Sequence, residues 1–518
     1  MQSAGSSSDS STITGTADVI PLSHLEALPD DILANIFDRL SIPELVVFER
    51  LSRTLGRRVN ELGVPSYLRR NPHSNITLSP SATTWPPHQL LRHHHIIDRS
   101  LRTRRYHALQ IGPKWPQAVI PCLSVSSSRV IYGAGGRLIV HPLEGSNTNR
   151  YGGKSVCQSQ EYTIARPHTG SRADIIGLAE LGNDQLAVAQ FDGTLQRFDG
   201  SMRSIAHYPH PKGANVHTFA TRSNGDLMMT TTSTGIVSLF RTKSPWQPPE
   251  TFQLGHSRAW SSCIPTSIDA LLVGVNGSIN LHALLPSGPC TTPTRSLIGP
   301  DLPSKSSPYD IQPAPPDSIH SPSILLSAWY DSHLRLHDIR LPSSSPVATF
   351  SDPWSWADGS AMYSTTFLAS HHIAGGGARH GVVALFDLRQ PNDGWSVFSP
   401  GGKGSPVYKL VGEGGRIWGV TERRGFLLAL DGSGDHHQGM VRNGARSIDG
   451  NQTNHNPSAR ERVSGWKGRG GKWGWTVRYG EDEGEGVVGY EHGRRFQSHA
   501  GGVMGTGGVQ LLESAKVI

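Results

Sequence analysis

The stretch from Ile324 to Arg340, Ile324-Leu-Leu-Ser-Ala-Trp-Tyr-Asp331-Ser-His-Leu-Arg-Leu-His337-Asp-Ile-Arg340, is the part of the sequence that decides the fold class. It contains two short runs rich in apolar residues, separated by a Tyr-Asp-Ser turn, and the second run alternates apolar and polar side chains. Alternation with a period of two is typical of a half-buried β-strand. The stretch therefore predicts a strand, a tight turn and a second strand.

The same hairpin recurs along the chain, so internal repetition is the main signal. The second strand of each hairpin opens with Gly or Ser before a short apolar run, and the openings lie 42 to 57 residues apart. The seven openings are Gly136, Gly193, Gly235, Gly277, Ser332, Gly381 and Gly425. The shorter intervals match the roughly 40–45 residues of a four-stranded blade, and the longer ones contain insertions. The repeat predicts a mainly β chain with a seven-bladed propeller over residues 104–430.

The best unit resembles the WD repeat, with Asp331 at the position of the turn Asp and His337 where the family usually has Trp. No unit has that Trp: the position reads His141, Phe198, Phe240, His282, His337, Phe386 and Leu430. The resemblance implies a WD-like propeller, and we interpret the three histidines as packing residues rather than ligands.

A propeller must close its ring, and two segments are candidates for the closing strand. Families of this kind usually complete the last blade with a strand from the other end of the chain, which Tyr106–Ile111 can supply. The alternative is the C-terminal run Val509–Leu512, with Gly486–Tyr490 as part of an eighth blade. We prefer seven blades.

The N-terminal part of the chain has a helical period instead. Pro29 suits the first position of a helix, and Asp30 and Asp31 lie at its positively charged end. A first apolar stripe comprises Ile32, Leu33, Ile36, Phe37 and Leu40. After a break at Ile42-Pro43, a second stripe comprises Leu45, Phe48, Leu51, Leu55, Val59 and Leu62. These stripes predict two or three short amphipathic helices, too small to bury their own apolar surface.

The same residues resemble the F-box motif. The resemblance is carried by Leu28-Pro29-x-Asp31-Ile32-Leu33-x-x-Ile36-Phe37-x-x-Leu40, by Pro43-Glu44-Leu45 and by Leu51-Ser52-Arg53. It implies a three-helix module over residues 21–66 that binds the Skp-type adaptor of cullin-based ubiquitin ligases. The motif's usual Trp is missing, and Leu55 is the nearest candidate for its place. The expected adaptor-binding residues are Leu28, Pro29, Ile32, Leu33, Ile36, Phe37, Leu45 and Leu51, of which some must face inward.

On the propeller, the turns before the Gly-initiated strands and the segments before each blade's first strand share one rim. The cations expected on that rim are Arg172, Lys212, Arg258, Arg379, Arg423 and Arg424. A phosphorylated or acidic peptide could bind them through charge-assisted hydrogen bonds. Alternatively, they are ordinary solvated loop charges.

Composition agrees with a β-rich body. Charged residues are 17% of the 518 residues, while 58 Gly and 36 Pro indicate many tight turns. A net charge of +7 is too small to demand a nucleic-acid partner. The four Cys have neither metal-ligand nor disulfide spacing, and no apolar run is long enough to span a membrane. We expect a cytosolic or nuclear protein without metal, cofactor or membrane partner.

The remaining segments give weaker signals. Residues 1–20 and 431–485 are expected to be disordered, and residues 486–518 to supply possible extra propeller strands. Residues 67–103 read as a linker in which His93, His94 and His95 are solvated, and its Arg-rich end as a helix face or an import signal. Pro286 to Pro322 reads as a flexible insertion, and the Trp/Lys/Arg run from Trp466 to Trp475 as linker rather than an RNA-binding element.

The combination of the two resemblances implies a function. It predicts a substrate receptor whose helical module binds the ligase adaptor and whose propeller binds an unidentified target protein. No nucleophile elbow, metal motif or phosphate loop is present in the sequence, so no catalytic residue is assigned. A propeller scaffold outside any ligase, or a propeller enzyme with carboxylates or histidines in its central channel, are the alternatives.

Overall fold

The computed structural model describes residues 22–74, 76–77, 85–144, 154–164, 174–210, 215–255, 257–298, 306–352, 355, 359–400 and 404–433, and short strands between 447 and 491. Contacts divide the chain into two compact units, Met1–Arg70 and Asn71–Ile518. The predicted disordered tail of residues 1–20 and the alternative closing strand Val509–Leu512 lie outside the described residues.

The first unit is helical, and local capping explains where its helices begin. The Glu44 carboxylate accepts hydrogen bonds from the backbone N–H of Ser41 at 2.7 Å and from its hydroxyl at 2.6 Å. The stripe from Leu45 to Leu62 predicts one helix, but the chain breaks at Ser52, whose Oγ accepts a hydrogen bond from the N–H of Leu55 and starts a new helix. The helices are α1 (Leu22–Glu26), α2 (Asp30–Phe37), α3 (Ile42–Leu51), α4 (Arg53–Arg58), a π-helical turn (Val59–Gly63) and α5 (Val64–Arg70).

The second unit begins with a helix that the sequence analysis missed. Helix α6 (Pro87–Thr103) lies within the predicted linker, and its buried side chains include His93 and His94, only 4% and 3% exposed. The expectation that these histidines are solvated was wrong. His93, Ile97 and Leu101 recur every fourth residue, so a neutral imidazole takes a place in an apolar stripe that packs against the propeller core.

Seven antiparallel sheets form the body of the second unit, which confirms the predicted seven-bladed propeller. The first strand of each blade contacts the first strand of the next blade, and that of blade 7 contacts that of blade 1. The last blade is completed by strand β1 (His107–Ile111), which pairs antiparallel with β30 (Gly425–Ala429). The ring is thus closed by the strand predicted from Tyr106–Ile111.

The strands of blades 1 to 4 follow each other along the chain. Blade 1 comprises β2 (Cys122–Val125), β3 (Arg129–Ala134), β4 (Arg137–Glu144), β5 (Ser155–Val156) and β6 (Gln160–Thr163). Blade 2 comprises β7 (Ile175–Glu180), β8 (Leu186–Gln190), β9 (Leu195–Phe198) and β10 (Ser204–Tyr208). Blade 3 comprises β11 (Val216–Thr221), β12 (Leu227–Thr232), β13 (Ile236–Arg241) and β14 (Glu250–Gln253). Blade 4 comprises β15 (Ser261–Cys263), β16 (Ala270–Val275), β17 (Ser278–Leu285), β18 (Gly288–Pro289) and β19 (Arg295–Leu297).

The other three blades follow the same order. Blade 5 comprises β20 (Pro308–Pro313), β21 (Ile324–Trp329), β22 (His333–Asp338) and β23 (Ala348–Ser351). Blade 6 comprises β24 (Met362–Leu368), β25 (His372–Gly377), β26 (Val382–Asp387) and β27 (Gln390–Phe398). Blade 7 comprises β28 (Val407–Gly412), β29 (Arg416–Thr421), β30 and β1. The remaining strands are β31 (Ser447–Ile448), β32 (Val463–Lys467), β33 (Trp473–Val477) and β34 (Gly489–Glu491).

Two segments differ from their sequence interpretation. The expected insertion 286–322 contains blade strands β18, β19 and β20, so only part of it is loop. The stretch 431–485, expected to be disordered, contains the antiparallel strands β32 and β33, which include Trp466, Lys467, Trp473 and Trp475, while residues 468–472 lie outside the described residues. Strand β34 pairs with β27 as a fifth strand of blade 6, which agrees with the expectation that residues 486–518 supply extra propeller strands and not with the alternative of an eighth blade.

The glycine that marks the repeat has a physical reason. Gly193 and Gly235 lie in the turn before the third strand of their blades, with φ values of 93° and 82°. A side chain is strained at such φ values, which explains why Gly is favoured at these two positions. Ser332 takes the equivalent place in blade 5 with φ 72°, an exception that the blade tolerates.

The buried neutral histidines make the stability of the protein depend on pH. Burial lowers the pKa of His94 to about 3 and the pKa values of His337 and His372 to about 4. Between pH 6.5 and 4 the unfolded chain therefore binds protons that the folded chain does not, so stability is full above the unfolded pKa and falls as the pH drops. We expect each histidine to cost about 2 kcal/mol at pH 5, measured as a drop in chemical unfolding free energy between pH 7 and pH 5.

The repeat itself supplies the control for this prediction. Phe198, Phe240 and Phe386 occupy the place of His337 in other blades, so His337→Phe removes one titrating group at a position that accepts a phenyl ring. We expect this variant to lose less stability between pH 7 and pH 5 than the wild type. An equal loss in both proteins would contradict the assignment.

Candidate functional site

The eight residues predicted to bind the adaptor separate by burial in the helical unit. Leu33, Phe37 and Leu45 are 0% exposed and form the core of the unit with Leu55 and Val59. These three side chains hold the helices together and present no surface to a partner. The sequence period could not make this division, since buried and exposed positions shared one stripe.

The other five residues remain accessible. Ile32 and Leu51 are 42% and 41% exposed, Pro29 is exposed, and Leu28 and Ile36 are partly buried. The structure adds Val47, which is 58% exposed one turn before Leu51 on α3 and was missed by the sequence analysis. Its i, i+4 relation to Leu51 is the signal that could have identified it. Large apolar side chains on α2 and α3 are exposed to solvent. They can stabilise binding to a partner, because burial in the interface removes their apolar surface from water.

On the propeller, a repeated irregularity lies at the beginning of the inner strands. The pairing of the first and second strands shifts by one residue in blades 2, 3, 5, 6 and 7, so one residue per blade is a β-bulge. The bulge residues are Ile176, His217, Tyr309, Tyr363 and Tyr408. In blade 4, Trp260 directly precedes the inner strand, and its N–H donates to the carbonyl of Gly274 at 2.8 Å. Apart from Ile176, these bulges and Trp260 place ring-bearing side chains at the beginning of the inner strands.

Four of these side chains form a continuous surface, here called the aromatic row: Trp260, Tyr309, Tyr363 and Tyr408. The ring centroids of Trp260 and Tyr309 lie 5.4 Å apart, those of Tyr309 and Tyr363 4.9 Å, and those of Tyr363 and Tyr408 5.7 Å. Tyr330, 54% exposed, lies 6.1 Å from Tyr309 at the side of the row. The row crosses four blades and is partly buried along its whole length.

An arginine covers one end of the aromatic row. The Arg258 guanidinium lies 4.1 Å from the Trp260 ring centroid, and its Nη2 donates to Nδ1 of His217 at 2.7 Å. Burial first, and the Arg258 charge second, lower the pKa of His217, so its ring is neutral and can accept this bond. Trp260 Nε1 donates to Oδ1 of Asn276 at 2.8 Å. These contacts fix the ring and the cation in one orientation.

The phenols of the row stay neutral at physiological pH. Burial raises the pKa of Tyr309 to about 12, the neighbouring Tyr363 and Tyr330 act in the same direction, and Arg258 opposes them. Burial also raises the pKa values of Tyr363 and Tyr408. Neutral phenols combine an apolar ring with a hydroxyl donor, which suits them to contacts with protein surfaces.

The structure brings together only part of the predicted rim of cations. Arg172 and Lys212 lie outside the described residues. Arg258 and Arg379 are exposed beside the aromatic row, and both act electrostatically on its tyrosines. Arg423 is exposed in the turn of blade 7.

Arg424 has a different role. Its guanidinium donates to Oε1 of Gln110 on the closing strand β1, so it joins two strands within blade 7. We therefore remove Arg424 from the candidate binding residues.

An ion pair joins two inner strands next to the row. Lys409 Nζ lies 2.7 Å from Oδ1 of Asp310, and Oδ2 of Asp310 accepts a hydrogen bond from the N–H of Thr365 at 3.0 Å. The pair reaches from blade 7 to blade 5. Within the part of the chain that the structure describes, no three His, Cys, Asp or Glu side chains are grouped as a metal site requires.

The three histidines at the usual Trp position are buried, as predicted. His141 and His282 bond through Nδ1 to the carbonyls of Cys157 and Cys290, at 3.2 and 3.0 Å. His337 is 1% exposed. Their surroundings are those of packing residues.

Comparison with known proteins gives one family match. The F-box domain matches residues 25–65, which are the helices from α2 to the start of α5 and the residues just before them. No curated protein matches the chain. Among the described residues, no helix is long and apolar enough to cross a membrane. The chain thus carries an F-box domain and a seven-bladed β-propeller.

Proposed function

We propose that this protein is the substrate-recognition subunit of a cullin-based ubiquitin ligase. The observation that carries the proposal is the presence, in one chain, of an F-box domain at residues 25–65 and a seven-bladed propeller with a row of partly buried aromatic side chains. F-box domains typically bind Skp-type adaptors and belong to non-catalytic subunits. The propeller is the unit left to bind a target.

In this proposal the F-box binds the Skp-type adaptor through its exposed apolar residues. Ile32, Val47 and Leu51 lose their contact with water on binding, while Leu33, Phe37 and Leu45 keep the helices in place. Apolar side chains in the centre of an interface typically contribute most of its binding energy. Leu28 and Pro29, just before α2, extend the same contact.

The mechanism is proximity. The propeller binds the target while the F-box is bound to the adaptor, so lysines of the target are held near the conjugating enzyme at a high effective concentration. The bond-forming groups belong to other subunits of the ligase. Only positioning is required of this chain.

Affinity purification from cells tests the proposal. We expect the intact protein to co-purify with adaptor, cullin and target proteins, and the Leu28→Ala, Pro29→Ala variant to lose the adaptor and the cullin together. Proteins retained by the variant are candidate targets, because the propeller is unchanged. Both positions are accessible, so folding should be preserved, which thermal unfolding checks.

Two outcomes would contradict the proposal. Undiminished adaptor binding by a folded variant would show that these residues are not the contact. Adaptor without any cullin would favour a propeller scaffold that uses its F-box outside a ligase.

A further inference from the structure

We propose that the aromatic row binds an extended, proline-containing segment of the target that carries acidic side chains, and that this segment need not be phosphorylated. The inference rests on the proposed function, since it names the class of target that the propeller would bring to the ligase. It assigns the binding surface to Trp260, Tyr309, Tyr363 and Tyr408, with Arg258 and Arg379 beside them.

The spacing of the rings in the aromatic row matches that of an extended peptide. Neighbouring rings in the row are 4.9 to 5.7 Å apart between centroids, so alternate rings are separated by no more than about 11 Å. A polyproline II segment rises roughly 3.1 Å per residue, which places every third residue about 9 Å along the chain. Every third side chain can therefore contact every second ring. Grooves lined by aromatic rings are a recurring binding surface for such segments.

The tyrosine hydroxyls of the row are protonated and can donate hydrogen bonds to such a segment. The tyrosines are partly buried and neutral, because burial raises their pKa values. The backbone of a polyproline II segment has no internal hydrogen bonds, so its carbonyls remain free to accept bonds from tyrosine hydroxyls. Pyrrolidine rings pack on the aromatic faces with little loss of conformational entropy, since proline is already restricted.

The charged side chains beside the aromatic row favour an acidic ligand. Arg258 and Arg379 are exposed next to the row, and Arg258 is held in place by Trp260 and His217. The nearby Asp310 is paired with Lys409, and Asp331 is paired with Arg335 at 2.5 Å. Glu422 is the acidic group next to Tyr408, and Arg423 follows it in the same turn. The cations beside the row thus favour an acidic ligand over a basic one.

The position of the row at the beginning of the inner strands favours an extended ligand. Lys409 and Asp310 follow Tyr408 and Tyr309 directly in sequence, and their ion pair joins the inner strands of blades 7 and 5. A ligand on the row therefore runs past the beginnings of several inner strands, next to this pair. An extended segment fits this placement better than a single side chain inserted along the channel.

The test uses the full chain and a fluorescein-labelled peptide of three Pro-Pro-Glu triplets, with binding followed by fluorescence anisotropy. We expect this peptide to bind at least roughly tenfold tighter than a Gly-Gly-Glu peptide of equal charge and a Pro-Pro-Lys peptide of opposite charge. Tyr363→Ala should weaken binding by roughly tenfold or more. Arg258→Ala, at an exposed position, should reduce the preference for the acidic peptide without affecting folding.

The matched control is Tyr162→Ala, the same substitution at a partly buried tyrosine on β6, outside the aromatic row. It should leave peptide binding unchanged. Equal binding of the Gly-Gly-Glu and Pro-Pro-Glu peptides, an equal effect of Tyr162→Ala, or tighter binding of an oligouridylate would overturn the inference. Adaptor binding is measured on the same variants: its retention with peptide binding lost supports the inference, while its absence from the wild type contradicts the proposed function alone.

Discussion

The double variant Ile32→Asp, Val47→Asp is expected to abolish binding of the purified protein to a Skp-type adaptor. These side chains are 42% and 58% exposed and lie on different helices of the F-box domain. Each substitution replaces apolar contact area with a charge that must be dehydrated in the interface. We expect the affinity to fall by roughly a hundredfold or more, as for two residues in the centre of an interface, measured by biolayer interferometry.

The control for this prediction is Ile205→Asp on the outer strand β10 of blade 2. Ile205 is 43% exposed, so it matches Ile32 in residue type and accessibility but belongs to the propeller. This variant should bind the adaptor like the wild type. Equal losses in both variants would indicate a general effect of added charge, and an undiminished affinity of the double variant would show that these side chains are not in the contact.

The second large effect is expected in the core of the propeller unit, at Arg416. Its Nε lies 2.9 Å from Oδ2 of Asp431, and it donates further bonds to Oγ of Ser433 and the carbonyl of Lys154. Glu413 is also buried and accepts hydrogen bonds from Trp418 and Thr77. Burial alone would raise the pKa of Asp431, but the Arg416 charge and the hydrogen bonds hold it below its usual value.

Arg416→Met is therefore expected to destabilise the protein by about 3–5 kcal/mol, because it leaves a buried carboxylate without its cation. Arg416, Asp431 and Glu413 are 2%, 2% and 4% exposed, so solvent cannot replace the lost charge. Adding Asp431→Asn to Arg416→Met should recover part of the loss. Chemical denaturation followed by circular dichroism measures the change.

A matched exposed pair shows whether burial is the cause. Arg340 contacts Asp338 at 2.7 Å, yet its side chain is 59% exposed. Arg340→Met should leave the free energy of unfolding close to that of the wild type. Similar losses for Arg340→Met and Arg416→Met would contradict the explanation.

The propeller was predictable because each blade repeats the same local sequence features. The turn before the third strand needs a positive φ, so Gly returns at Gly193 and Gly235, and short apolar runs return beside it. Helix α6 was missed because His93 and His94 read as polar residues. Whether a histidine is solvated or buried neutral depends on what packs against it, which a period alone does not contain.

The binding surfaces were predictable only in part. The helical period marked the apolar stripe of the F-box but could not separate Ile32, which faces water, from Leu33, which is buried. The aromatic row was missed because its residues are 45 to 54 positions apart, and three of them are brought together by bulges that the sequence does not mark. Aligning the blades at Pro308-Tyr309-Asp310, Met362-Tyr363-Ser364 and Val407-Tyr408-Lys409 shows the shared apolar-Tyr-polar pattern.

The most direct test of the proposed ligase role is reconstitution. The purified full chain, a Skp-type adaptor and a cullin scaffold are mixed at micromolar concentration and analysed by size-exclusion chromatography with light scattering. The proposal predicts that the three proteins elute together with one copy of each. Separate elution of this chain from the adaptor and the cullin would contradict it.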